Sequence, residues 1–180
     1  KDLVERYNRG ELTNADSIHF PDSLKVSTLL NKRTVYGGGG IMPDYFVPVD
    51  TARFTKYLGE MVATGVLNTY CTNYIDNHRA EMQSKYKNLE SYIKDFTVTD
   101  DMINGLIAAA EKENIKPQQP VTEKEKETIR TWLKSLLARD LFNYEAYIKV
   151  SNQESDTYKK ALEIIADDEL YNQLLGKKKQ

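Results

Sequence analysis

Hydrophobic residues recur at helical spacing along most of the chain, from about residue 51 to residue 175. Intervals of three and four residues place them on one face of each successive helix, as in helices that pack around a shared core. The pattern predicts a mainly α protein, a bundle of five or six helices behind a short N-terminal arm. The predicted apolar faces are Phe54, Tyr57, Leu58, Met61 and Val62; Val66, Leu67, Tyr70, Cys71, Tyr74 and Ile75; Leu89, Tyr92, Ile93 and Phe96; Ile129, Trp132, Leu133, Leu136, Leu137, Leu141, Tyr144 and Ile148; and Tyr158, Ala161, Leu162, Ile165, Leu170, Tyr171, Leu174 and Leu175.

Capping residues mark the ends of several predicted helices. Asp50 or Thr51 can cap the first helix, because a short polar side chain there accepts a hydrogen bond from an exposed backbone N–H. Gly65 then ends this helix, since glycine readily adopts the left-handed conformation that follows a last turn. Thr99 caps a later helix, whose first turn carries two acids where the helix dipole favours negative charge.

A proline-containing linker precedes the longest predicted helix. Pro117 and Pro120 interrupt the helical pattern, and Thr122 and Glu125 then form a capping box. The apolar face that follows extends over about seven turns at 3.6 residues per turn. Trp132 lies in the middle of that face, so we expect its side chain to be buried in the core.

Residues 1–50 have a different character. They contain five of the nine glycines and three of the five prolines. The runs "KVSTLL" and "YFVPV" are typical of short strands, and Asn31–Lys32 is a candidate turn between the first run and "RTVY". An isolated hairpin is marginally stable in water, so this arm needs partners. We therefore predict an arm over residues 1–50 and a helical domain over residues 51–180.

Charge and cysteine content exclude several classes of protein. The net charge is −2, from 25 basic and 27 acidic residues that are interspersed along the chain. A nucleic-acid-binding surface would need a basic patch, so no nucleic-acid partner is predicted. Lys177–Lys179 form the one basic run, which we interpret as a solvated tail. A single cysteine, Cys71, excludes an internal disulfide.

Four consecutive glycines, residues 37–40, are the most unusual local feature. A phosphate-binding loop would place a helix directly after the glycines. Here Pro43 and a second extended run follow instead. We therefore interpret the glycines as a structural loop that needs close backbone approach or positive φ.

The residues that most often carry chemistry show no catalytic or metal-binding pattern. His19 and His78 are far apart and lack the spacing of metal ligands. The acid pairs Asp100–Asp101 and Asp167–Asp168 fall in predicted first turns, where helix capping explains them. The sequence thus predicts no catalytic, cofactor-binding or metal-binding residue and no cofactor.

The glycine-rich region carries a resemblance to a known family. The stretch "RYNRGELTNADSIHFPDSLKVSTLLNKRTVYGGGGIMPDYFVPVDT", residues 6–51, resembles a late segment of the protease core of C-terminal processing peptidases, or tail-specific proteases, of the Bacteroidetes type. Ile41, Pro43 and Asp44 match the family's Gly-Ile-x-Pro-Asp segment. "ARDLFNYEAYIKVSN" and "DDELYNQLL" resemble the family's helical C-terminal extension. These peptidases are hydrolases that use a Ser–Lys pair and a PDZ domain.

The resemblance implies a function without supplying a site. The family's serine and lysine lie upstream of the glycine-rich segment, and neither motif is present here, so no catalytic residue transfers. We expect an internal piece of a longer protein: a non-catalytic, structural or substrate-channelling C-terminal region of a serine-type peptidase, inactive alone. The implied partners are the protease core, its PDZ domain and polypeptide substrates; the implied location is the periplasm or cell envelope. The alternative is a free-standing helical module that binds peptides or proteins.

One further expectation concerns association. Strand edges in residues 1–50 carry backbone groups that must be paired. These strand edges can pair with those of another copy of the chain, and we therefore predict weak self-association through the arm.

Overall fold

The computed structural model describes residues 2–30, 32–38, 42–53 and 55–176. Within these residues the protein is mainly α, as predicted, with nine α-helices and one two-stranded antiparallel sheet. The elements are α1 (Asp2–Asn8), β1 (Lys25–Ser27), β2 (Thr34–Tyr36), α2 (Lys56–Ala63), α3 (Val66–Lys85), α4 (Leu89–Asp95), α5 (Asp100–Lys112), α6 (Glu123–Leu141), α7 (Tyr144–Gln153), α8 (Asp156–Ala166) and α9 (Asp168–Leu174), with 3-10 turns at Ala15–Ser17, Asp22–Leu24 and Thr51–Arg53.

The chain divides into two compact units. One contains Lys1–Asp50 together with Asp156–Gln180, and the other contains Thr51–Ser155. Helices α2 to α7 make up the second unit, which we call the helical unit. Helices α8 and α9 group with the N-terminal residues.

The first unit contains the predicted hairpin in a shortened form. Strand β1 pairs with β2 so that Val26 lies opposite Val35. The backbone N–H of Thr28 donates to the Arg33 carbonyl (2.9 Å), and the Arg33 N–H donates to the Thr28 hydroxyl (3.0 Å). These two bonds close the turn. Lys32 has a φ of 51°, while Asn31, the other predicted turn residue, lies outside the described residues.

The predicted strand "YFVPV" is wrong, because residues 45–49 form no strand. Pro48 has no N–H to donate to a ladder, which disfavours pairing there. The N–H of Val49 instead donates to the Leu12 carbonyl at 2.9 Å. Helix α1 was not predicted from the sequence pattern.

Only part of the glycine-rich segment can be described. The Gly37 N–H donates to the Leu24 carbonyl at 2.8 Å, and Arg33 forms an ion pair with Asp44. Gly39, Gly40 and Ile41 lie outside the described residues, as do Phe54 and the predicted tail Lys177–Lys179.

The hydrophobic core lies entirely in the helical unit. Every buried hydrophobic residue of the described chain falls between Tyr57 and Val150. Helix α6 packs against α3 and α7, and α2 and α5 pack against α3. Tyr92 of α4 is fully buried, and its ring stacks on Phe96 with the centroids 4.7 Å apart.

Two of the three predicted helix caps are confirmed. The Thr99 hydroxyl accepts from the Met102 N–H, and Thr122 forms a capping box with Glu125. The first cap is different: α2 begins after Thr55, whose hydroxyl accepts from the Leu58 N–H at 3.4 Å. Thr55 lies three residues before Leu58, which is the spacing of a capping side chain. The prediction of Asp50 or Thr51 as the cap is therefore wrong.

The long helix predicted after Thr122 is two helices. Helix α6 ends at Leu141, and the Asn143 side chain accepts from the Ala146 N–H at 2.9 Å to begin α7. Asparagine competes for backbone hydrogen bonds and favours a helix start over a helix interior. Asp167 separates α8 from α9 in the same way, by accepting from the Leu170 N–H at 3.0 Å. The described part of residues 51–180 therefore contains eight helices, where five or six were predicted.

Candidate functional site

The histidines and acids considered from the sequence lie in ordinary structural positions. His19 is exposed. His78 Nδ1 donates to the Tyr74 carbonyl at 2.8 Å, and the two rings stack with centroids 4.3 Å apart. Asp100 accepts from Arg130 at 2.7 Å, in the first turn of α5. Among the described residues, no group of three or more His, Cys, Asp or Glu side chains is placed to hold a metal ion.

The single thiol is unsuited to nucleophilic chemistry. Cys71 lies on α3 and is completely buried. Burial raises the pKa of this thiol to about 12, and the neighbouring Asp140 carboxylate adds to the shift. Because the thiolate is the reactive form, Cys71 is a core residue of α3 and carries no predicted reaction.

An open groove on the helical unit is the candidate functional site. It has a volume of about 420 Å³. The end of α2 and the start of α3 contribute one side, and α6 and the start of α7 contribute the other. Its lining residues are Val62, Leu67, Asn68, Trp132, Leu136, Arg139, Tyr144 and Tyr147.

The groove is continuous with the hydrophobic core and opens gradually to solvent. Leu67 and Leu136 are buried core residues, and Trp132 is half-buried against the core. Val62 and Tyr144 are exposed to 51% and 67%. A polypeptide side chain that enters the groove would therefore meet an apolar floor that the fold already holds in place.

The α6–α7 break helps to build this surface. Since Asn143 starts a new helix, Tyr144 and Tyr147 lie one turn apart at its beginning. Their rings stack, with centroids 5.7 Å apart and an interplanar angle of 18°. The pair forms an aromatic wall beside Trp132.

Arg139 provides the one charge in the lining. Its Nε donates to Asp140 Oδ1 at 2.7 Å, and its Nη1 donates to Asn68 Oδ1 at 3.1 Å. Its Nη2 makes no hydrogen bond to any residue in the described part of the chain. The Arg139 side chain is more exposed than that of Asp140, at 32% against 17%. Arg139 is therefore the more exposed of the two charged side chains at the groove.

Other clefts on the helical unit are more polar. One of about 330 Å³ includes Arg130, which is already bonded to Asp100. Another of about 260 Å³ includes Glu125, whose carboxylate already accepts from Thr55 and Thr122. Arg130 and Glu125 are thus already engaged in hydrogen bonds within the fold.

Sequence reasoning assigned no site residue and missed this groove. It placed Val62, Trp132 and Tyr144 on apolar faces of helices, and it expected Trp132 in the core. The structure puts Trp132 at the edge of the core instead. Helical periodicity identifies an apolar face, but it does not distinguish a face that packs in the core from one that lines a groove.

The model of a family of unknown function, DUF8443, matches residues 57–143, which are just under half of the chain. The matched region contains all the groove-lining residues except Tyr144 and Tyr147. No curated protein and no solved structure matches the chain. No helix in the described ranges has the length and apolar character needed to cross a membrane.

Proposed function

We propose that the helical unit is a non-catalytic polypeptide-binding module. Its groove takes up exposed apolar side chains of a polypeptide, and Arg139 favours a segment with a neighbouring carboxylate. The observation that supports this proposal is the groove itself, where apolar and aromatic walls continue from the core and one fixed cation lies at the edge.

We further propose that this module belongs to a serine-type C-terminal processing peptidase. The support is the resemblance of residues 6–51 to the late protease core of that family. In this setting the groove would hold substrate polypeptide beside an active site supplied by the family's upstream serine and lysine, in the periplasm or cell envelope. A native gene that encodes a Ser–Lys protease core upstream would favour this setting over a free-standing module.

The intrinsic fluorescence of Trp132 provides a direct test of the groove. Trp132 is the only tryptophan in the chain, so its emission reports on this one surface. Titration with an unstructured polypeptide that ends in apolar residues should shift the emission in a saturable way. No shift at saturating polypeptide would contradict the proposed binding site.

Two matched tyrosine variants locate the binding. Tyr144→Ala removes a groove side chain that is 67% exposed, so folding should be preserved while affinity falls about tenfold. Tyr171→Ala removes an exposed tyrosine of α9, which does not line the groove. Equal affinity of the two variants would place binding elsewhere.

A second test concerns catalysis. Covalent acyl transfer requires an activated nucleophile, and the family's Ser–Lys motifs are missing from this sequence. We therefore expect the chain alone to leave the same polypeptide intact during prolonged incubation, as followed by mass spectrometry. Cleavage that co-purifies with the chain through successive columns would refute this.

A further inference from the structure

Helix α8 presents an apolar face to solvent. Tyr158, Ala161, Leu162 and Ile165 are all exposed, with Leu162 at 51% and Ile165 at 64%. Their spacing of three and four residues puts them on one side of the helix. We call these four residues the α8 face. None of the residues of α8 is buried.

The opposite side of α8 is more shielded from solvent. Lys160 and Ile164 are half-buried, and Lys160 Nζ lies 5.7 Å from the centroid of the Tyr45 ring. Helical geometry places Ile164 well away from Leu162 and Ile165 around the helix axis. An amphipathic helix normally buries its apolar side, so the α8 face is typical of a surface that binds another protein.

We propose that the α8 face of one copy of this chain docks into the groove of a second copy. The inference rests on the groove being a polypeptide site, as proposed above, and it names the occupant. Leu162 and Ile165 supply the apolar side chains that such a groove takes up from an amphipathic helix.

Charge complementarity supports the same pairing. Three acidic residues follow α8 in the chain: Asp167, which caps α9, and Asp168 and Glu169 in the first turn of α9. Arg139 is the charged residue of the groove, and its side chain is more exposed than that of its Asp140 partner. A helix that enters the groove with acids at its C-terminal end brings carboxylates toward this cation.

Reciprocal docking of two copies gives a closed pair with two-fold symmetry. Each groove in the pair is then filled by the other copy. Self-association and polypeptide binding therefore compete for Trp132, Tyr144 and their neighbours. At high protein concentration more grooves are filled by α8 of a second copy, so each chain binds less polypeptide. Dilution dissociates the dimer and frees the grooves.

The first test is light-scattering mass across a concentration series of the full chain. Mass should rise from monomer to dimer, with a parallel shift in Trp132 emission. Leu162→Glu should weaken dimer formation about tenfold or more, because it replaces the apolar side chain that fills the groove with a carboxylate that loses its water against apolar walls. Leu162 is half exposed, so this change should leave folding intact.

The matched control is Leu30→Glu, at a leucine that is 92% exposed beside the hairpin turn. It places the same charge on the arm and should leave the dimer unchanged. The inference is overturned if the chain stays monomeric throughout, or if Leu30→Glu disrupts the dimer and Leu162→Glu does not. The second result would make the arm the associating element.

Two further readouts separate this inference from the proposed function. If Leu162→Glu changes Trp132 emission in a chain that is monomeric at every concentration, the occupant is α8 of the same copy, which overturns docking between copies. The Leu162→Glu monomer should still bind the apolar-tailed polypeptide. Suppose that Leu162→Glu disrupts the wild-type dimer but the monomeric variant binds no polypeptide. This result would support the dimer contact and refute the polypeptide site.

Discussion

Two helical glycines differ in the space around them, and this difference determines how substitution by alanine would change the stability of the protein. A Cβ at Gly105 of α5 would lie 2.7 Å from the Tyr70 hydroxyl, whereas a Cβ at Gly59 of α2 would have no neighbour within 4 Å. Alanine in a helix interior is favoured over glycine by about 1 kcal/mol. Gly59→Ala should therefore stabilise the protein by up to about 1 kcal/mol in urea unfolding.

Gly105→Ala should destabilise the protein by roughly 1–3 kcal/mol, since overpacking outweighs the gain in helix propensity. Tyr70→Phe removes the clashing oxygen, so the double variant should recover part of the loss. The structure would be contradicted at this contact if Gly105→Ala were as stabilising as Gly59→Ala.

Glu125 joins the starts of two helices through its carboxylate. Oε1 accepts from the Thr55 hydroxyl at 2.7 Å, and Oε2 accepts from the Thr122 N–H at 2.8 Å and hydroxyl at 2.9 Å. Burial raises the pKa of Glu125, but these hydrogen bonds outweigh it and hold the pKa below its usual 4.5. The ionised form therefore stabilises the fold; this contribution is fully present above the ordinary glutamate pKa and is lost as pH falls through the lowered folded-state pKa.

Glu125→Gln should therefore be less stable than the wild type at pH 7, by about 1–2 kcal/mol. The gap should narrow as the pH is lowered through the folded-state pKa, because a protonated glutamate resembles glutamine. Urea unfolding of both proteins at several pH values measures the gap. A gap that is independent of pH would exclude the carboxylate charge as its cause.

Helix α7 depends on a single capping side chain. Asn143 accepts from the Ala146 N–H at 2.9 Å, and Tyr144 and Tyr147 follow it into the groove. Asn143→Ala should cost about 0.5–2 kcal/mol of stability and weaken polypeptide binding by loosening the aromatic wall. Asn143→Asp keeps an accepting oxygen and should be close to neutral. Thermal unfolding compares the two, and an equal loss in both would show that the cap is not responsible.

Helix starts that depend on neighbouring residues were predictable from the sequence. Thr99 and the Thr122–Glu125 box act within one turn, so residue types and spacing are sufficient to identify them. Asn143 provides the same local signal, but the apolar pattern runs without interruption across it and predicted one long helix. The strand predicted over residues 45–49 failed because alternation alone does not show whether a partner strand is present.

The groove was less predictable than the fold, for a reason that lies in packing. Val62, Trp132 and Tyr144 have the residue types and spacing of core positions. Whether such positions are covered depends on how α2, α3, α6 and α7 meet, which involves residues far apart in the chain. Arg139 gave no signal either, because its role depends on Asn68, 71 positions away.

The helical unit should fold by itself, because it contains its own core. All buried hydrophobic residues of the described chain lie between Tyr57 and Val150, inside Thr51–Ser155. A fragment covering residues 51–155 should unfold cooperatively, with a midpoint close to that of a fragment covering residues 51–180. The longer fragment adds α8 and α9, neither of which contains a buried residue among those described, so they should add little stability. Circular dichroism during heating tests both fragments, and a shorter fragment that lacks a cooperative transition would show that residues beyond 155 complete the core.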